Sequence, residues 1–204
     1  MAPAKADRVR RVLFYGDSNT YGTDPAGGGR YPAGARWTDI LAVALTGLWD
    51  VRVDARPGRC IPEMDFEWED VRLCLGREAP LDMFAVMLGT NDYLSAARPD
   101  ADAAAARMEG FLARLREREE LQGSEMLVIA PPCLDFGDDR FYGPYSTTSG
   151  VLSRALEDCA AGMGVDFLNA GAWPLPLCGD GIHLSREGHR VFAAHMLRYF
   201  QEQR

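Results

Sequence analysis

Val12-Leu13-Phe14-Tyr15-Gly16-Asp17-Ser18-Asn19-Thr20-Tyr21-Gly22 is the stretch on which the reading of this chain turns. Residues 12–15 form a short continuous apolar run, which suits a strand covered on both faces. The chain leaves that strand through Gly16. Ser18 then falls in the passage from strand to helix, where backbone N–H groups lack partners and point outward. A serine there reads in two ways. It is a helix cap, or it is a hydroxyl held beside donors able to take up negative charge.

Outward from this stretch the chain alternates. Residues 24–36, with Gly27-Gly28-Gly29, read as a flexible surface loop, since no Walker lysine-serine pair follows and no Gly-x-Gly-x-x-Gly context is present. Trp37, Ile40, Leu41, Ala44, Leu45 and Leu48 recur at helical spacing, with Thr38 as the cap. Residues 50–54 alternate Val51 and Val53 with charge, the mark of a half-buried strand, and run into a turn at 55–59. A helix follows at about 67–77. Residues 83–88 and 126–130 are continuous apolar runs, hence strands covered on both faces. Between them Met108, Phe111, Leu112 and Leu115 mark a helix within 101–121.

Beyond Pro131-Pro132 a loop rich in glycine and aromatics spans 133–143. Val151, Leu152, Ala155, Leu156 and Cys159 then mark a helix, and residues 165–168 a last strand. Ser185 caps a closing helix in which Val191, Phe192, Met196 and Tyr199 share a face. Five strands alternating with five helices predict an α/β domain with a parallel sheet and helices on both faces. The first, third and fourth strands are almost wholly apolar and belong in the centre. The second and fifth carry alternating charge and belong at the edges, which gives the order 2-1-3-4-5. No repeat, low-complexity tract or linker interrupts residues 1–204, so a single domain is expected.

Composition narrows the function. The 204 residues carry a net charge of -8, with no basic cluster beyond Arg8, Arg10 and Arg11. No nucleic-acid footprint is present, and an anionic membrane would repel the chain. No segment reaches the roughly 20 apolar residues of a membrane span, and residues 1–7 show no apolar run of a secretion signal. The five cysteines (Cys60, Cys74, Cys133, Cys159, Cys178) are odd in number and contain no Cys-x-x-Cys pair. They suit a reducing compartment better than disulfides or zinc, so a cytoplasmic protein is expected.

In an open parallel sheet, sites form at the carboxyl ends of the strands. The first strand delivers Ser18 there, the second Gly58, the third Asn91, and the exit from the fifth delivers Asp180-Gly181-Ile182-His183. Acyl transfer requires this set. A serine hydroxyl needs a base, and His183 is the candidate. Asp180, three residues earlier, orients the imidazole. The oxyanion takes the Ser18 and Gly58 N–H groups and the Asn91 amide, each such donor worth roughly 10²–10³ in turnover.

Gly16-Asp17-Ser18, Gly58, Gly89-Thr90-Asn91-Asp92 and Asp180-x-x-His183, in that order, resemble the blocks of the SGNH hydrolases, also called the GDSL esterase/lipase family. The likeness runs from Val12 to the last helix. It implies a three-layer flavodoxin-like fold, Ser18 as nucleophile with Asp180 and His183 completing a triad, Gly58 and Asn91 as oxyanion donors, and no cofactor. Arg36-Trp37-Thr38 and Met87-Leu88-Gly89-Thr90-Asn91-Asp92 resemble the arylesterase/acyltransferase branch, which favours small acyl groups and often forms oligomers. The expected activity is therefore hydrolysis or transfer of small acyl groups of carboxylic esters by a serine esterase, on a small-molecule ester and in a homo-oligomer. A carbohydrate O-acetyl esterase is the nearest alternative, and a non-catalytic flavodoxin-like binding domain the alternative of another class.

Asn19 stands where the family name has leucine, and its position beside the nucleophile assigns it to the pocket lining. Asp17 and Asp92 read as turn and cap residues, and His189 and His195 as surface or core polar groups without metal spacing. Cys60, Cys133 and Cys178 read as apolar lining near the site. Trp37 reads as core, Trp173 as core or substrate platform, and Phe141, Tyr142 and Tyr145 as a lid or a subunit contact.

Overall fold

The computed structural model describes residues 8–202, and the reading of residues 1–7 as lacking a secretion signal lies outside them. In chain order the elements are β1 (Arg10–Gly16), α1 (Ser18–Tyr21), β2 (Thr23–Asp24), β3 (Gly29–Arg30), α2 (Trp37–Ala44), β4 (Trp49–Ala55), α3 (Asp65–Glu78), β5 (Met83–Met87), α4 (Thr90–Ser95), α5 (Ala101–Arg116), β6 (Glu125–Ala130), α6 (Gly143–Met163), β7 (Asp166–Asn169) and α7 (Arg186–Glu202). Five strands form one parallel sheet in the order β4-β1-β5-β6-β7. This is the expected 2-1-3-4-5 once the short antiparallel β2–β3 pair is set aside.

The textures that set the order have a physical cause. β5 is buried at every position, while β4 at one edge and β7 at the other keep exposed or half-exposed residues. Successive side chains of β1 point to opposite faces. Leu13 and Tyr15 join the core beneath α3, α5 and α6, whereas Val12 and Phe14 join the core beneath α2 and α7. Trp37, wholly buried, meets Phe14 edge-on at 4.9 Å and lies 4.7 Å from the Phe192 ring. Trp37 is core, as read from the sequence. At the amino-terminal side, Arg8, Arg10 and Arg11 pair with Asp82, Glu125 and Asp50, so the three basic residues brace neighbouring segments.

Three local expectations are corrected, and seven α-helices stand among the described residues where five were expected. Thr38 lies inside α2 and Arg36 holds the cap position. The periodicity continues to Leu48, but the helix stops at Ala44 because Gly47 turns the chain with φ +82. Thr90–Ser95 forms a short helix that carries no apolar period. Gly143–Met163 is a 21-residue helix that begins in the aromatic stretch, opened by Pro144 in its first turn. Ser185 does cap α7, its Oγ accepting the Gly188 N–H at 3.0 Å. Among the described residues, no helix is long and apolar enough to cross a membrane.

Candidate active site

Register brings the chemistry to one edge. In the sheet Gly16 lies level with Ala55 of β4 and Met87 of β5. Ser18, Gly58 and Asn91 each follow within four residues of those ends. Gly16 is required by the turn: a Cβ there would lie 2.1 Å from Thr20 Oγ1. Asp17, not Ser18, caps α1, and its Oδ1 accepts the Asn19 N–H at 2.9 Å. This leaves Ser18 as the first helical residue, 6% exposed, with its hydroxyl released from capping duty. Burial pushes the Asp17 carboxyl up to about 6, against the opposing pull of the Asn19 amide and the nearby His183.

Gly58 sits at φ +75, in the left-handed region that favours glycine. The next residue fastens its turn. The Arg59 guanidinium donates to the carbonyls of Gly16 at 3.1 Å and Asp54 at 2.6 Å, pairs with Asp54, and lies 4.0 Å over the Tyr15 ring. Asn91 Nδ2 donates to the Arg59 carbonyl at 2.9 Å. A side-chain amide carries two hydrogens, so the second remains available. Asp92 accepts the Ile61 N–H on both oxygens, at 3.2 and 3.1 Å, and binds Arg107 at 3.2 Å. Its assignment to turn and cap duty is thereby corrected: it braces the Gly58 turn against the start of α4. Burial raises its carboxyl, and the Ile61 and Arg107 bonds oppose that rise.

The segment carrying Asp180 and His183 crosses the end of the sheet. Ile182 packs on one core and Leu184 is buried in the other, so His183 stands at the crossing. Its Nδ1 bonds Asp180 Oδ2 at 2.6 Å, while Asp180 Oδ1 accepts the N–H groups of Ile182 and His183, both at 3.0 Å. Burial alone would raise the Asp180 carboxyl. The bonds from His183 and Ile182 outweigh it and hold the group below the usual carboxylate range.

The connection between this segment and Ser18 runs through Asn19. Its Nδ2 donates to the Ile182 carbonyl at 3.1 Å and its Oδ1 accepts the Leu184 N–H at 2.8 Å. Asn19 is 3% exposed, so it is a structural link and not the pocket lining expected from its position. No hydrogen bond joins Ser18 Oγ to the imidazole among the described residues. Catalytic bonds often close only once substrate is present.

Other candidates fall elsewhere. His189 is buried, accepts the Trp37 N–H on Nδ1 at 3.3 Å, and burial lowers its pKa to about 4. His195 stacks on Trp173 at 4.4 Å, and Trp173 also packs against Phe192. Cys178 Sγ lies 3.4 Å from the Tyr31 hydroxyl. Cys60 lies on the Gly58 turn, and burial pushes its thiol up to about 11. Tyr145 is buried and donates to the Ala96 carbonyl at 2.7 Å, which removes it from any lid, while Phe141 and Tyr142 are exposed. A hollow of about 250 Å³ opens beside Gly58, lined among others by Tyr15, Cys60 and Phe66. Hollows of about 370 and 420 Å³ lie between α3 and α5, away from Ser18. No group of three or more His, Cys, Asp or Glu among the described residues could hold a metal ion.

A parallel sheet whose first turn holds a buried serine, with an Asp–His pair fastened to the same edge, is the architecture of a serine ester hydrolase. The chain belongs to the GDSL-like lipase/acylhydrolase family, whose model matches residues 14–191. Two solved structures bear this out over nearly the whole length. A carbohydrate acetylesterase from Sinorhizobium meliloti is 27% identical, with 96% of this chain and 100% of that chain covered and a TM-score of 0.83. The native aryl esterase of M. smegmatis is 25% identical, with 95% and 99% covered and a TM-score of 0.79. No curated protein sequence matches the chain.

Proposed function

We propose that the protein hydrolyses carboxylic esters of small acyl groups through an acyl-enzyme on Ser18. The observation that carries this reading is the 2.6 Å bond between His183 Nδ1 and Asp180, in a segment tied on both sides of His183 to the residue after Ser18. With its proton on Nδ1 facing the carboxylate, the imidazole keeps a lone pair on Nε2. Nε2 takes the Ser18 proton as Oγ attacks the ester carbonyl. The negative charge that develops on the carbonyl oxygen is met by the Ser18 and Gly58 N–H groups and by the Asn91 hydrogen not given to Arg59. Collapse expels the alcohol, which receives the proton from His183, and water then repeats the sequence on the acyl-enzyme.

Likeness to an aryl esterase supports a small acyl group on an aryl or alkyl alcohol. Likeness to a carbohydrate acetylesterase favours a second reading in which the alcohol is a sugar hydroxyl and the acyl group acetyl. Both use the same acyl-enzyme, and an alcohol in place of water would make the reaction a transfer. The five free cysteines support a reducing, cytoplasmic setting, and the homo-oligomer expected from the arylesterase branch is testable by light scattering. The deciding experiment is labelling with an organophosphonate and mapping the adduct by mass spectrometry. The adduct is expected on Ser18, and Ser18→Ala is expected to lose up to about 10⁶ in turnover of p-nitrophenyl acetate. An adduct elsewhere, or a variant that keeps most of its activity, overturns the proposal. Parallel rates on p-nitrophenyl and acetyl-sugar esters then separate the two readings.

A further inference from the structure

We infer that Asn19 is a positioning residue for the reaction, and that its side-chain amide holds the His183 imidazole in reach of Ser18. The inference rests on the triad reading above and deepens it. Ser18 and His183 belong to segments distant in the sequence, and no strand pairing joins those segments. Side-chain bonding between the nucleophile turn and the histidine segment comes from Asn19. The amide grips the peptide groups on either side of His183, with Nδ2 on the Ile182 carbonyl at 3.1 Å and Oδ1 on the Leu184 N–H at 2.8 Å. A carboxamide in this setting acts as one more rung of backbone pairing, with a donor and an acceptor presented side by side.

Asn19 is itself fixed. Its N–H donates to Asp17 Oδ1 at 2.9 Å and its carbonyl accepts the wholly buried Trp37 Nε1–H at 3.0 Å. His183 is held from behind as well, its carbonyl accepting the Cys178 N–H at 2.7 Å. The imidazole therefore hangs from a backbone restrained at 182, 183 and 184, and two of those restraints come from the residue adjoining the nucleophile. Leucine, which the family name places after the serine, has neither donor nor acceptor and would leave both peptide groups unpaired. A misplacement of about 1 Å between reacting groups costs roughly 10² in rate. Losing the grip is expected to act on kcat while the oxyanion donors and the acyl pocket stay in place.

The test compares Asn19→Leu, Asn19→Asp and Ser18→Ala with the native protein. Leucine removes both bonds. Aspartate keeps the shape of the side chain and the acceptor for Leu184, and loses the donor to Ile182. The readouts are kcat and KM for p-nitrophenyl acetate, per phosphonate-titrated site in the native protein and the Asn19 variants and per protein concentration in Ser18→Ala, and the second-order rate of phosphonylation. We expect N19L to lower kcat and the phosphonylation rate by about 10², N19D by about tenfold, and KM to stay within about twofold. Full stoichiometric labelling at long times is expected in both, so the loss is one of alignment and not of folded sites. Native rates in N19L or N19D beside an inactive Ser18→Ala would overturn the inference and leave the triad standing. Full activity in Ser18→Ala would overturn both.

Discussion

Replacing Asp180 by asparagine exchanges one oxygen for an NH2 group and reverses one hydrogen bond. Oδ1 of Asp180 accepts the N–H groups of Ile182 and His183, each at 3.0 Å. In Asp180→Asn those two donors hold the amide oxygen in the same place, which forces the NH2 into the position of Oδ2. That NH2 faces His183 Nδ1 at the site of the native 2.6 Å bond. Nδ1 must then accept, the ring proton moves to Nε2, and Nε2 has no lone pair for the Ser18 proton. Where a triad histidine is locked in that tautomer, kcat falls by about 10⁴, equivalent to about 5.5 kcal/mol at 1.36 kcal/mol per tenfold. The assay is p-nitrophenyl acetate turnover at neutral pH, with circular dichroism to confirm that the fold is kept. A folded variant within about tenfold of the native rate would refute the assignment of Asp180 as the group that sets the His183 tautomer.

Asn91→Ala removes both the bond to the Arg59 carbonyl and the hydrogen assigned to the oxyanion. Turnover is expected to fall by roughly 10²–10³, and an unchanged rate in initial-velocity measurements would strike Asn91 from the site. His189 contributes a pH dependence of defined sign. Its folded pKa is about 4, below the ordinary 6.5, so its contribution is complete above pH 6.5 and is lost as the pH falls toward 4. At 1.36 kcal/mol per unit the loss by pH 4 is about 3 kcal/mol. Urea unfolding of the native protein and of His189→Gln at pH 7 and pH 4 reads it: the advantage of the native protein at pH 7 should shrink by about that amount at pH 4, and an unchanged difference would remove His189 as its source.

Much of the fold was legible because burial writes itself into strand composition. Residues 12–15, 83–88 and 126–130 are apolar without interruption because helices cover both faces of β1, β5 and β6, while Asp50 and Arg52 report that β4, at the edge of the sheet, is only partly covered. What failed was local. Leu45 and Leu48 prolong a helical period after α2 has ended, since a pattern of side chains does not register where Gly47 turns the backbone. Thr90–Ser95 is too short to display a period at all.

In the candidate site, the residue types proposed to do chemistry were readable from their places after strands. The residues that hold those types in position were not. Asn19 was visible as a departure, but its partners Ile182 and Leu184 lie more than 160 positions away. Asp92 likewise offered no signal that its carboxylate would take the Ile61 N–H. A hydrogen bond between distant segments leaves no periodic trace in either one.

The distance along the chain between Ser18 and His183 has a bearing on synthesis. As the polypeptide emerges from the ribosome, the hydroxyl and the groups at Gly58 and Asn91 come out early and can fold against one another. The imidazole comes later, after β6, α6 and β7. On the proposed assignment, the nascent molecule until then holds a nucleophile without its proton acceptor. On that assignment, reactivity toward esters begins only with the contacts that complete the domain.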